Sequence, residues 1–247
     1  MKKIFLTILL CLAFSLKTLA NGVFKDGVNT TTTPDGKWRF ETIYKNGKKN
    51  GVSKVYYTSG ELSSEHTFKD SQLEGLSTLY YQSGKVHVEQ NFKDNVPVGI
   101  SKTYLEDGTV IREVSYIKGD QDYDVKDYYK NGKLYREWQL RNNKPTLDWK
   151  IYNNNGSLLL VSKASADAKT TEIKAYDEKG EAFKNGIFLV PSQNGSIASE
   201  IPYKNGQVHG VRKDYDDNGN LAYETTYENG SETSRKAYDA QGDLVAK

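Results

Sequence analysis

Cysteine, methionine, tryptophan and histidine are nearly absent from this 247-residue chain, which has one Cys, one Met, three Trp and three His. The single cysteine, Cys11, lies in an apolar N-terminal segment. The rest of the chain therefore has no thiol, no disulfide and no cysteine-ligated metal. His66, His87 and His209 show no metal-binding spacing. There is also no nucleophile motif, phosphate-cradling loop or Asp-rich calcium loop, so neither an enzyme nor a cofactor is expected. An excess of charge is missing too. The chain has 34 basic and 32 acidic residues, and Lys2, Lys3 and Lys17 fall in the first twenty. The remainder has 31 basic and 32 acidic residues, a formal charge of −1, which argues against nucleic acid as a partner. The longest apolar run, residues 4–16, is too short to span a bilayer as a helix. A mean hydropathy of −0.72 with regularly placed lysines argues against a lipid-facing barrel.

Lys2 and Lys3, the apolar run and then Thr18-Leu19-Ala20 have the order of a secretory signal peptide, with cleavage expected after about Ala20. This predicts export to the periplasm, the cell surface or the medium. Cys11 invites an acylated-lipoprotein reading, but bulky Leu9 and Leu10 precede it and the apolar run continues past it. Residues 21–34 form a polar lead-in or degenerate half-repeat, since Phe24-Lys25-Asp26-Gly27 echoes Tyr44-Lys45-Asn46-Gly47.

The rest of the chain is periodic. Glycines recur every 24 residues at Gly36, Gly60, Gly84, Gly108, Gly132, Gly156 and Gly180, then at Gly195, Gly219 and Gly242. Tyr56, Tyr80, Tyr104, Tyr128 and Tyr152 stand four residues before their glycine, and Leu62 and Leu134 two after. Phe68 and Phe92 stand eight after. A fixed period of this length marks a repeat architecture. Asn-Gly, Asp-Gly and Ser-Gly pairs every 10 to 14 residues are hairpin signals, because glycine accepts positive φ without a Cβ clash. The predicted fold is all-β, an elongated antiparallel meander of hairpins with about 24 residues per unit. Residues 35–163 form the regular array, 164–195 an irregular seam and 196–247 the C-terminal repeats.

A three-residue loop ending in a left-handed glycine sets Tyr56 opposite Leu62 and predicts that both share a face with Phe68. Tyr56, Leu62, Phe68, Tyr80, Phe92, Tyr104 and Tyr128 are then the expected core. Burying one triad is worth about 1.5–3 kcal/mol per side chain, whereas ordering each residue costs roughly 1 kcal/mol or more, so single units depend on their neighbours.

The column three residues before the glycine runs Tyr57, Tyr81, Leu105, Tyr129, then Asn153, Asp177, Asp216 and Asp239. With Ile111 and Tyr135 on the same side, its aromatic half is the candidate partner-binding strip; the competing reading is local packing. Glu41, Glu65, Glu89, Glu113, Glu137, Glu200 and Glu224 share one position and are expected to be a solvated charge pattern with the neighbouring lysines. At the seam, the interval from Gly180 to Gly195 is only 15 residues, and Pro191 replaces the tyrosine, which suits an edge or a bulge.

The pattern Tyr-x-Asn-Gly-x-x-x-Gly-x-x-x-x-Tyr-Tyr-x-x-Gly-x-Leu over residues 44–62 resembles the MORN repeat, and looks most like the bacterial variant found in proteins labelled YwqK-family antitoxins. The resemblance covers residues 35–247 and lacks the close glycine pair of the more familiar MORN unit. It implies scaffolding, protein interaction and, in some members, membrane association, with no catalytic residue. The expectation is a secreted or envelope-associated scaffold that binds a protein. A cell-wall carbohydrate-binding module is the alternative, although Trp38, Trp138 and Trp149 stand at non-equivalent positions. The resemblance alone suggests a toxin neutraliser, for which an exported toxin would be the target.

Overall fold

The computed structural model describes residues 24–164 and 171–246. The expected signal peptide and residues 165–170 of the expected seam lie outside these. Among the described residues there is no helix; glycine turns divide the chain into short strands that pair with their sequence neighbours.

Two compact units form. The first contains β1 (Gly27–Thr32), β2 (Trp38–Lys45), β3 (Lys48–Lys49), β4 (Gly51–Tyr57), β5 (Leu62–Lys69), β6 (Gln72–Tyr80), β7 (Val86–Lys93), β8 (Val96–Tyr104) and the second half of β9 (Val110–Lys118). Its strands follow chain order in one antiparallel sheet that starts at β1, with β3 extending the edge of β2. Phe24 stacks on Tyr44 with ring centroids 4.2 Å apart, so the lead-in is part of this sheet.

The second unit begins with the first half of β9 and continues the meander through β10 (Asp122–Tyr128), β11 (Leu134–Arg141), β12 (Lys144–Tyr152), β13 (Leu158–Ala164) and β14 (Thr171–Ala175). A separate sheet follows, made of β15 (Gly186–Pro191), β16 (Ile197–Lys204), β17 (Gln207–Val208), β18 (Gly210–Tyr215), β19 (Leu221–Glu228), β20 (Ser231–Tyr238) and β21 (Leu244–Ala246). The two sheets share a core in which Leu160 and Ala175 meet Phe188, Val190, Ile201 and Tyr203. The ring of Phe183 packs edge-on against Phe188 and Tyr203.

Each hairpin closes as expected. The Gly60 N–H donates to the Tyr57 carbonyl (3.0 Å) and the Tyr57 N–H to the Glu61 carbonyl (2.9 Å), with Gly60 at φ +99°. Tyr56 then pairs with Leu62, but Val55 pairs with Ser64, leaving Ser63 as an extra residue. The same one-residue shift follows Tyr80, Tyr128, Tyr152, Tyr215 and Tyr238. Side chains alternate strictly along a strand, so one extra residue turns everything beyond it to the other side. This corrects the expected core triad. Tyr56 and Leu62 share a face with Lys54 and Glu65, while Phe68 lies on the opposite face with Val55, Ser64 and His66. These are called here the tyrosine face and the phenylalanine face. Phe68, Leu73 and Phe92 form a buried cluster on the latter, and Tyr56, Tyr80, Tyr104 and Tyr128 are only half-buried on the former.

A second glycine column, nine residues before the turn glycine, was in the repeat pattern without an assigned role. Gly51 lies opposite Phe68 and Gly75 opposite Phe92, and the same glycine–aromatic pairing joins Gly27 to Tyr44, Gly186 to Tyr203 and Gly210 to Tyr227. All five glycines have φ between +98° and +110°, a backbone conformation that a residue with a Cβ rarely adopts. In the one repeat with Tyr123 at this place, the partner is Leu140, so aromatic and small partner exchange sides. Gly51 has φ +109°, and a Cβ there would meet Ile43 Cδ1 at 3.2 Å, whereas Gly99 has φ +69° and open space. Gly51→Ala is therefore expected to destabilise the fold by about 1–3 kcal/mol and Gly99→Ala by clearly less, read from urea midpoints; equal losses would contradict the assigned strain.

Candidate functional site

On the tyrosine face, repeat tyrosines reach back to the glutamate of the preceding repeat, except Tyr176, for which that place is Val161. The Tyr56 hydroxyl donates to Glu41 Oε2 (3.0 Å), Tyr80 to Glu65 (2.9 Å), Tyr104 to Glu89 (2.6 Å), Tyr128 to Glu113 (2.7 Å) and Tyr152 to Glu137 (2.9 Å). In the second sheet Tyr238 donates to Glu224 (2.7 Å). Lysines flank the glutamates, with Lys54 Nζ 3.2 Å from Glu65 and Lys150 Nζ 2.7 Å from Glu137. The glutamate column is thus more than solvated charge: it accepts the hydrogen bonds that join successive hairpins. The Tyr56 hydrogen bond, with Arg39 beside it, holds the Glu41 carboxyl below its ordinary range. Burial opposes this at Glu137, but the hydrogen bonds from Lys150 and Tyr152 outweigh it and the net effect is again downward. Burial and then the glutamate raise the pKa of Tyr56, Tyr80 and Tyr152.

The candidate strip of Tyr57, Tyr81, Leu105, Ile111, Tyr129 and Tyr135 has a different job. Tyr129 and Tyr135 are buried, their rings edge-on at 5.1 Å, and burial pushes the Tyr129 hydroxyl up to about 12. The Tyr81 hydroxyl donates to the Tyr104 carbonyl (2.7 Å) and the Tyr129 hydroxyl to the Tyr152 carbonyl (2.8 Å), so each tyrosine braces the next turn. Tyr57 leans on Trp38 and Tyr81 on His87. Tyr57, Tyr81, Leu105 and Ile111 are half-buried. Tyr129 and Tyr135 are therefore packing residues, and the strip does not form a continuous open surface. The later acidic members of the column cap their own turns: Asp177 Oδ1 accepts the Lys179 and Glu181 N–H groups, and Asp216 Oδ1 those of Asn218 and Asn220. The same backbone bonds close these turns as at Tyr57, and the aspartate carboxylate adds its cap to them.

The open apolar surface lies elsewhere. Val28, Val52, Leu76 and Ile100 stand eight residues before successive turn glycines, on the tyrosine face of the first unit, and are 39–67% exposed. Val98 adds to this row. The 24-residue spacing was visible in the sequence, but an aliphatic every second strand is inconspicuous beside tyrosine pairs.

Two polar features of the phenylalanine face were also missed. In the second unit, Asp127 is buried between Arg112 Nε (2.5 Å) and Arg136 Nη2 (2.8 Å), at a position filled by Val55 and Leu79 in earlier repeats. In the first unit Thr42, Ser53, His66, Ser77, Gln90 and Ser101 form a buried polar row. His66 Nε2 lies 3.0 Å from Ser64 Oγ, and His66 Nδ1 has no partner among the described residues. A cleft of about 510 Å³ in the second unit is lined by Asp124, Glu137, Asp148 and Lys150, among others. Its acids are engaged: Asp124 by Arg141, Glu137 by Lys150 and Asp148 by the Ala164 N–H.

Hairpins that bond to their neighbours through one recurring set of contacts define an all-β repeat protein. Five segments, residues 49–70, 73–94, 97–118, 124–142 and 208–229, match the MORN repeat variant. The fourth match begins just after Tyr123, where the second glycine is lost. The unmatched stretch between 142 and 208 contains Leu147 and Thr171 at the same place. No curated protein matches the chain. A porin-like protein from Bacteroides uniformis aligns over 83% of this chain and 91% of its own, at 11% identity and a TM-score of 0.21, too slight a likeness to bear on fold or function.

Burial, with the charge of Lys49 adding to it, lowers the His66 pKa to about 4. The unfolded chain takes up a proton near pH 6.5 that the folded chain refuses. Stability should therefore fall as the pH drops from 6.5 towards 4, by up to about 3 kcal/mol. His66→Gln should flatten this window in urea titrations; an unchanged slope would contradict it.

Proposed function

We propose that this chain is an exported scaffold, of the cell envelope or its surroundings, that binds a protein partner through the aliphatic row Val28, Val52, Leu76 and Ile100. The observation that carries this reading is the exposure of those side chains on a face otherwise occupied by paired charges and half-buried tyrosines. Contiguous exposed apolar surface is characteristic of interaction sites. Equivalent strands two apart set the row at roughly 9–10 Å intervals. Side chains seven residues apart on an α-helix are about 10.5 Å apart, so an amphipathic helix laid across the strands could engage every member. The charged N-terminus and the apolar run after it support export.

A protein partner is favoured over a glycan because the tryptophans offer no open stacking platform. Trp38 lies against Tyr57, Trp149 packs on the core between the two sheets, and Trp138 Nε1 is buried.

Replacing Val52, Leu76 and Ile100 together by serine should abolish partner recovery after mild crosslinking in the native host, with unchanged far-UV circular dichroism. Tyr57→Ser, which removes a ring packed on Trp38, should lower the melting temperature without selective loss of the partner. Undiminished recovery with the triple variant would refute the row as the site.

A further inference from the structure

The interval from Gly180 to Gly195 is nine residues shorter than the repeat, and the repeat strands β5 and β7 each have eight residues. One strand's worth of chain is missing. It would have followed β14 and preceded β15. Without it the meander ends at β14, and β15 begins the second sheet as an edge strand.

The register shows which way the backbone of that edge points. Ile187 lies opposite Pro202, which has no N–H and whose carbonyl accepts the His209 N–H at 2.9 Å on the far side of β16. In an antiparallel strand the N–H and C=O of one residue point to the same side, so Ile187 and Pro202 form a non-hydrogen-bonded pair. The N–H and C=O of Ile187, and those of Leu189 two residues on, therefore face the open edge. Their side chains are 62% and 52% exposed.

Natural edge strands carry charge, especially lysine, that discourages pairing. Six residues before the turn glycine this chain has Lys54, Lys102, Lys126, Lys150, Lys174, Lys213 and Lys236, with threonine at Thr30 and Thr78; only β15 has a leucine, Leu189. The strand carries no charged residue. A repeat strand of the ordinary kind would bring its glutamate against Leu189, with no lysine to receive it. β15 itself meets no such conflict.

We propose that β15 is a self-pairing edge, through which two copies of this chain join antiparallel about a two-fold axis at Phe188. Ile187 of each copy lies opposite Leu189 of the other, in hydrogen-bonded pairs that use all four outward N–H and C=O groups. The aliphatic side chains meet on one face, and Val211 of β18, also exposed, extends that apolar area. The assignment is independent of the partner row in the first unit.

Sedimentation equilibrium of the purified chain tests it. The unaltered chain should sediment as a dimer, and Leu189→Lys and Ile187→Glu should each be monomeric with unchanged circular dichroism and melting. The milder Leu189→Thr should weaken the dimer at least tenfold. Mixing the Leu189→Lys and Ile187→Glu variants should restore a dimer, because the introduced lysine and glutamate face each other only in this register. A monomeric unaltered chain would overturn the proposal, as would a dimer indifferent to all three substitutions. So would a monomer that pairs only with an added extended apolar peptide.

Discussion

The hydrogen bond from a repeat tyrosine to the glutamate of the preceding repeat is the contact on which this architecture rests. Strand pairing alone joins neighbours through backbone groups that carry no sequence information. The Tyr104–Glu89 bond and its equivalents add a charge-assisted contact made only when consecutive hairpins are in register. The glutamate also meets a lysine at several repeats, while burial and the glutamate's charge keep the tyrosine hydroxyl protonated as the donor. A unit too small to bury a core alone gains specificity from its neighbour.

The bulge after each turn gives the two faces separate duties. It sends the repeat tyrosine to the face with the charges and the phenylalanine to the opposite face, across the strand from a glycine held at positive φ. Where that glycine is lost, other devices take over. Tyr123 and Leu140 exchange roles, Asp127 is held by two arginines, and the end of the first meander is covered by the second sheet. The phenylalanine face thus changes from an aromatic cluster with a polar row to a core between sheets, without any change in the hairpin itself.

The architecture was legible in the sequence because glycine spacing is a backbone requirement, and the three-residue loop followed from the same residues. The facing of Phe68 was not, because one extra residue at Ser63 reverses every side chain after it and leaves no mark in composition. The duty of the glutamates was hidden in a similar way: Tyr80 and Glu65 are 15 residues apart, and only the register shows them in contact. Tyr81 and Tyr129 drew attention as aromatics outside the expected core, although their rings pack on neighbours and their hydroxyls brace the next turn. The open aliphatic row and the uncharged edge at β15 were equally present in the numbering, but their meaning depends on exposure and on which way the backbone points.

The most direct measurement of the central claim is a double-mutant cycle on Tyr104→Phe and Glu89→Ala, with unfolding free energies from urea titration at neutral pH. If the bond couples adjacent repeats, the two losses should be non-additive by about 1–2 kcal/mol. Additive losses, with coupling below about 0.3 kcal/mol, would show that the hairpins are held by backbone pairing and apolar contact alone.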